Sequence, residues 1–309
     1  MRKRGRRMLA ILVVTAVACM VAATAEAGSS GTPVLVGPQR DVYPAATPGE
    51  TFLGFSRNAD GMPNHFDAYV KKPGLPPVKV NPRGQGFAGG FDGSTFVYQA
   101  LYRGSSNLRL FNAASGVFLP NPSAKVNTDQ WEWRPTISGD HLLFARFNPT
   151  AAGITDRIVL ANTRTDEVKL IDKQERNKPR YLVAGQVNGD WAVWESHVAQ
   201  TQKLNVRLYR ISTSSRLILP LPAGRVQYSP SVNSTGDVFY VRSRPGCGVS
   251  VVIRRNDRSG TDSLLATIPS GSDVFKTYAV NQPGGGVAVY YDVYKCSTGA
   301  IDIYKVTVP

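Results

Sequence analysis

Aromatic residues interleave with arginine and lysine at four places in the chain, a combination suited to holding a flat, negatively charged ligand. They are Asp129-Gln130-Trp131-Glu132-Trp133-Arg134, residues 173–181 (KQERNKPRY, ending in Arg180 and Tyr181), Gly224-Arg225-Val226-Gln227-Tyr228, and Lys276-Thr277-Tyr278. A flat aromatic face stacks on a sugar ring or a base, and a neighbouring guanidinium or ammonium pairs with a carboxylate or phosphate. The pattern points to an anionic ligand, with Trp131, Trp133, Arg134, Arg180, Tyr181, Arg225, Tyr228, Lys276 and Tyr278 as candidate contacts. Trp131, furthest from the strand that follows it, is the strongest ligand candidate among the aromatics. The competing reading for Trp133 and its counterparts is packing, since aromatics at such positions stabilise by burying large areas.

Residues that could carry catalysis are harder to find. The sequence contains no G-x-S-x-G elbow, H-E-x-x-H helix, C-x-x-C pair, Walker loop or dinucleotide fingerprint. His65, His141 and His197 are far apart with no ligand spacing, so neither a metal site nor a cofactor is expected. No catalytic residue is assigned.

These aromatic and basic segments lie between runs that read as strands. Six glycine turns, at Gly49, Gly93, Gly139, Gly189, Gly236 and Gly285, recur at intervals of 44–50 residues. Each is followed by a continuous apolar run, among them LLFA, WAVW and VFYV, and then by a more alternating run such as RIVLAN or NVRLYRI. A shorter fourth run closes every unit but the last. Helical periodicity is absent, and Gly, Pro, Asn and Ser punctuate at strand-length intervals. Four-stranded units of this length predict an all-β fold, a six-bladed β-propeller of antiparallel blades. The sixth unit lacks a fourth strand, while Val34-Leu35-Val36 stands unpaired near the N-terminus. That N-terminal strand is expected to complete the last blade and close the ring, which would otherwise present open edges.

The segments RPTISGDHLLFAR, GQVNGDWAVWES and YSPSVNSTGDVFYVRS resemble the repeat of the TolB-type, WD40-like propellers of exported bacterial proteins. The resemblance spans residues 34–309 at the level of pattern. The Asp-Gly of that repeat is inverted to Gly-Asp in three copies, and no α/β domain is read ahead of the propeller. It therefore implies a fold rather than a role in the Tol–Pal system.

The chain ends and composition set the context. Residues 1–27 combine a basic start (Arg2, Lys3, Arg4, Arg6, Arg7), an apolar run from Met8, and Ala25-Glu26-Ala27 as a cleavage site, which reads as a signal peptide. Residues 28–32 form a linker and 33–309 the propeller. An uncleaved leader serving as a membrane anchor is the alternative, and the only membrane attachment expected. Loss of the leader takes away five Lys/Arg and one Glu and lowers the formal charge from +14 to +10. That excess favours anionic partners, although no basic block of nucleic-acid-binding length survives cleavage. Cys247 and Cys296 follow their units' glycines, Gly236 and Gly285, by the same interval. In an oxidising compartment, equivalent loops of neighbouring blades predict a disulfide between them. Aligned on the residue two before Pro135, the first strands carry Tyr43, Phe87, Trp133, Val183, Tyr228 and Thr277. The expectation is a monomeric, secreted or envelope-located binding module, whose long-loop rim engages an envelope protein or an anionic wall polymer. The competing expectation is a propeller lyase or hydrolase acting on acidic glycans. It requires carboxylates or histidine beside arginine at the channel mouth.

Overall fold

The computed structural model describes residues 31–58, 62, 65–147, 155–175, 180–198, 203–243 and 251–309. The leader expected at residues 1–27 and Cys247 lie outside them. Six antiparallel sheets are arranged as the blades of a ring, each built on four strands, with one extra two-residue strand in the last. Blade 1 comprises Arg40–Ala46, Leu53–Asn58, Asp67–Lys71 and Val78–Lys79. Blade 2 comprises Gln85–Asp92, Thr95–Tyr102, Ser105–Asn112 and Val117–Phe118. Blade 3 comprises Trp131–Ser138, His141–Phe147, Thr155–Asn162 and Glu167–Glu175, and blade 4 Arg180–Asn188, Trp191–Val198, Lys203–Arg210 and Ser215–Ile218. Blade 5 runs through Val226–Val232, Val238–Ser243, Val251–Asn256 and Asp262–Ile268. Blade 6 holds Thr277–Asn281, Val287–Lys295 and Ile301–Val308, with the two-residue strand Ser272–Asp273 against its second strand.

The closing strand forms as expected. Thr32–Leu35 pairs antiparallel with Ile301–Val308, so the first residues of the domain complete the last blade. Val36 lies beyond the strand and is exposed. The apolar second strands are buried on both faces: Leu142, Leu143, Phe144 and Ala145 are all at 0% exposure. A middle strand has a neighbouring blade above and below, so alternation disappears from its sequence.

First strands of successive blades lie against one another around the axis. At their far ends, the turns clip each blade to the next. Asp92 accepts from the Gly139 amide at 2.9 Å, Ser138 from Gly189 at 3.0 Å, and Gln282 from Gly49 at 3.3 Å. Gly139 and Gly189 have φ of +54° and +56°, a left-handed conformation that glycine adopts without a Cβ penalty. This is the physical basis of the Gly-Asp turn read in the sequence.

Midway along, five of the six first strands slip register at one place, between Val42 and Ala45, Ala88 and Gly90, Trp133 and Thr136, Ala184 and Val187, and Tyr228 and Ser231. In three of them the bulge is an X-Pro pair whose first residue has positive φ: Tyr43 (+57°), Arg134 (+53°) and Ser229 (+51°). These registers correct the sequence alignment. Tyr43 is the counterpart of Arg134, not of Trp133, whose position in blade 1 is held by Val42.

Candidate functional site

The bulges put side chains from several blades on the ring axis. The Arg134 guanidinium, from blade 3, lies 4.0 Å from the centre of the Tyr43 ring of blade 1. Its charge is felt by Glu195 of blade 4 and by Lys276 and Asp292 of blade 6. A side chain within reach of blades 1, 4 and 6 at once must stand at the centre of the channel. Among the described residues, this guanidinium donates no hydrogen bond and enters no ion pair. Its attractive contact is the aromatic face, a cation–π geometry.

The carboxylates around it are committed elsewhere. Asp292 is fully buried and accepts from the amides of Tyr43 (2.9 Å), Phe275 (2.7 Å) and Lys276 (3.0 Å). Glu195, also buried, accepts from the Ser229 amide at 2.7 Å. Each therefore holds the strained bulge of the following blade, blade 1 for Asp292 and blade 5 for Glu195. Burial pushes both carboxyl groups above their ordinary range, against the lowering effect of those amides and of Arg134.

Beneath Arg134 the channel is closed. Lys276 reaches from blade 6 to donate to the Gly89 carbonyl of blade 2 at 2.6 Å, and burial, then the Arg134 charge, bring its ammonium down to about 7. The Tyr278 hydroxyl accepts from the Phe91 amide at 3.0 Å, again from blade 6 to blade 2. Gln186 of blade 4 bonds both the amide and the carbonyl of Ala279, at 2.9 and 2.8 Å. Below these lies a separate vestibule of about 150 Å³ at the turn end, lined in part by Asp92, Ser138, Asn188 and Asn281. The mouth on the long-loop rim is therefore blind.

An aromatic shelf continues from the mouth. Tyr43 lies 6.2 Å from Phe87, which lies 5.9 Å from Phe66, all three half-buried. Phe87 and Tyr43 were legible as rim aromatics. Phe66 was not, because only the curvature of the ring brings a third strand of blade 1 beside the first strand of blade 2.

Of the sequence candidates, the structure brings Arg134 and Lys276 together and puts Tyr278 directly below them as part of the seal. It places the others apart. Trp131 donates its indole N–H to Gly104 of blade 2 at 2.8 Å and packs on Phe147 at 5.4 Å, so it ties two blades together. Trp133 meets the same Phe147 edge-on at 6.3 Å. Tyr228 donates to Asp273 at 2.6 Å between blades 5 and 6. Arg225 is exposed, and the side chains of Arg180 and Tyr181 lie outside the described residues. Among the described residues, no group of three or more His, Cys, Asp or Glu could hold a metal ion.

No protein-family model matches the chain, and no curated protein does. Solved structures match its whole ring. A protein described as TolB of Agrobacterium tumefaciens aligns with a TM-score of 0.56 at 14% identity, over 88% of this chain and 92% of that one. The fold is that of a TolB-like six-bladed β-propeller. An oligogalacturonate lyase in complex with manganese aligns at 0.53 and 11% identity, covering 88% and 90%. The propeller domain of the trilobed protease of Pyrococcus furiosus aligns at 0.52 and 9%, covering 87% and 93%. That domain is described as having an open velcro topology, whereas in the TolB-like ring described here the N-terminal strand closes the last blade.

Proposed function

We propose that the protein is an exported binding module that engages an anionic polymer of the cell envelope through its long-loop rim. The observation that supports this best is Arg134. Its guanidinium sits on the axis of the rim, lies over an aromatic ring, takes no partner among the described residues, and has a closed floor beneath it. A half-buried guanidinium whose N–H groups take no hydrogen bond among the described residues, at the centre of a blind mouth, is the arrangement an anion completes. The formal charge of +10 expected after loss of the leader favours the same class of ligand. The expected Cys247–Cys296 bond, joining blades 5 and 6 at that rim, fits an extracytoplasmic setting.

The test is retention of the purified chain, residues 28–309, on immobilised polygalacturonate and on isolated cell-wall material. A set combining Arg134→Glu, Arg180→Glu and Arg225→Glu should lose retention. If the set binds both matrices as the parent does, the rim is not the binding surface.

A second reading rests on Lys276. An amine brought down to about 7 beneath an arginine is a candidate general base, matched to neutral pH, for elimination from an acidic glycan. The likeness of fold to an oligogalacturonate lyase makes that the substrate class to try first. Elimination would appear as rising ultraviolet absorbance from the new unsaturated product on polygalacturonate. No rise with the parent chain, or a rise undiminished in Lys276→Met, would dismiss it.

A further inference from the structure

We infer that the blind mouth recognises one acidic sugar residue at a time, with the sugar's carboxylate on Arg134 and its ring against the Tyr43–Phe87 shelf. This deepens the proposed function and rests on that reading, since it names the chemical group through which the polymer would be held.

Three observations carry the inference. The first is the shape and chemistry of the guanidinium's surroundings. One face is covered by Tyr43, 4.0 Å away, and the planar N–H edges remain without a hydrogen-bond partner among the described residues. Those edges match a planar carboxylate as a two-point fork. The second is the aromatic wall. Tyr43 and Phe87, with Phe66 behind them, present half-buried rings continuous with the cation. Rings beside a fork suit a ligand whose anionic group is borne on a flat, largely C–H face, as in a sugar acid. They add nothing for a bare inorganic anion. The third is the local charge. Arg134 and Lys276 face Glu195 and Asp292. Those carboxylates are tied to backbone amides and cannot move away. These charges cancel when all four groups are ionised, so the mouth carries no surplus to offset a dianion, and a singly charged carboxylate is favoured over a phosphomonoester.

The backbone supports the same assignment. Tyr43 and Arg134 both have positive φ and both precede proline, although a residue before proline ordinarily prefers extended conformations. Strain of this kind persists where the surroundings over-determine it, and it concentrates at ligand clamps. Here the amide of Tyr43 is held by Asp292, so a carboxylate buried in blade 6 fixes the ring on which the guanidinium of blade 3 rests. The floor limits how far a ligand enters. Lys276 and Tyr278 cross to blade 2 and Gln186 bridges to blade 6, so a polymer cannot thread the ring and presents a terminal residue or a side branch.

The experiment is calorimetric titration of the purified chain with trigalacturonate, maltotriose and glucose 6-phosphate. Trigalacturonate should bind, and maltotriose and the phosphate should bind at least about tenfold more weakly. Arg134→Gln should weaken trigalacturonate roughly ten- to a hundredfold, the range of a charge-assisted pair. Arg134→Lys should recover only part of that, because a point charge replaces a fork. Tyr43→Asn, a residue that tolerates positive φ, and Phe87→Leu should each weaken the sugar acid without changing its preference over maltotriose. Melting temperatures of these variants near the parent's show that the ring is intact. Equal affinity for maltotriose overturns the acidic group, and stronger binding of glucose 6-phosphate overturns the carboxylate. Parent-like affinity of a folded Arg134→Gln overturns the location. In that last case, retention on polygalacturonate lost in the triple charge-reversal set would leave the rim reading standing. Retention unaffected by that set would fell both.

Discussion

Lys276 makes the protein less stable than it need be, and replacing it with methionine exposes the cost. The ammonium is fully enclosed, donates one hydrogen bond to the Gly89 carbonyl, and feels Arg134 as a like charge and Asp292 as an opposite one. Burial is the largest of these effects and lowers the pKa from 10.5 to about 7. In the unfolded chain the amine ionises at its ordinary value. Between about pH 7 and 10.5 the unfolded chain thus holds a proton that the folded one has released, and stability rises with pH across that window. Below about 7 both states hold the proton, and the folded state bears the whole cost of a buried charge. The interval from 10.5 to about 7 corresponds to roughly 4–5 kcal/mol. Methionine removes that cost with little change in length, but it leaves the Gly89 carbonyl without its donor, at about 1–2 kcal/mol. Lys276→Met should therefore be more stable than the parent by about 3 kcal/mol near pH 6. The advantage should shrink as pH rises and vanish by about pH 10. Urea unfolding of both chains at a series of pH values reads the difference directly. A difference independent of pH between 6 and 10, or a methionine variant less stable at pH 6, would mean that the buried amine carries no such cost.

Other outcomes follow from the contacts between blades. Trp131→Ala removes the indole bond to Gly104 and the packing on Phe147. It should cost about 1–2 kcal/mol in unfolding free energy while leaving trigalacturonate affinity unchanged in calorimetry. Gly89→Ala would set a Cβ 2.4 Å from the Pro135 carbonyl oxygen. The backbone contact cannot relax, so overpacking of at least about 1–3 kcal/mol should appear as a lowered melting temperature. Deleting residues 32–35 removes the strand that completes blade 6, and should convert the chain to oligomers or aggregates by light scattering, because the Ile301–Val308 edge is left open. Mass spectrometry of the protein, produced in an oxidising compartment and digested without reductant, should find peptides containing Cys247 and Cys296 linked. Two free thiols there would remove the expected staple.

The fold was legible in the sequence because a propeller repeats its punctuation. A glycine turn, a doubly buried strand and an alternating strand recur at near-constant spacing, each for a local physical reason, and even the unpaired strand near Val34 could be matched to the blade that lacked one. The site was legible only in part. Arg134 and Lys276 were singled out by residue type, yet grouped with Trp131, Trp133 and Tyr228, which the structure uses to join blades. Glu195 and Asp292 gave no signal at all. They sit in the middle of apolar second strands, WAVWES and VAVYYDVYK, and their partners are 34 and 249 residues away along the chain. Distances of that kind are fixed by ring closure, which no spacing rule expresses. The misalignment of Tyr43 has a local cause. Blade 3 carries the same bulge after Trp133, but the first turn of blade 1 runs over residues 47–52 where that of blade 3 is only Gly139-Asp140, so counting back from the turn glycine lands one residue late.

That bulge explains how a near-symmetric ring can carry an asymmetric site. Each of five first strands bends at the same level, yet the residue at the bend differs: Tyr43, Gly89, Arg134, Gly185 and Ser229 in blades 1 to 5. The two glycines come at alternate blades, and each lies against the proline bulge of the next: a Cβ on either would approach the carbonyl oxygen of Pro135 or Pro230 to 2.4 Å. Glycine in blades 2 and 4 is thus what makes room for the X-Pro bulges of blades 3 and 5, and Arg134 owes its place on the axis to Gly89 beside it. In blade 5 the same bulge carries Ser229, whose hydroxyl is spent on the Phe275 carbonyl at 2.7 Å. In blades 1 and 3 it carries a ring and a guanidinium that meet each other. The scaffold therefore fixes where a blade can address the axis, and the identity of one residue per blade decides whether it does. Exchanging those residues, Ser229→Arg with Arg134→Ser, keeps the composition and both bulges while moving the cation away from Tyr43 and toward Asp273. If trigalacturonate affinity survived that exchange, net charge at the mouth would be the determinant. Its loss, with the melting temperature held, would show that the pairing of Arg134 with Tyr43 is what the ring is built to present.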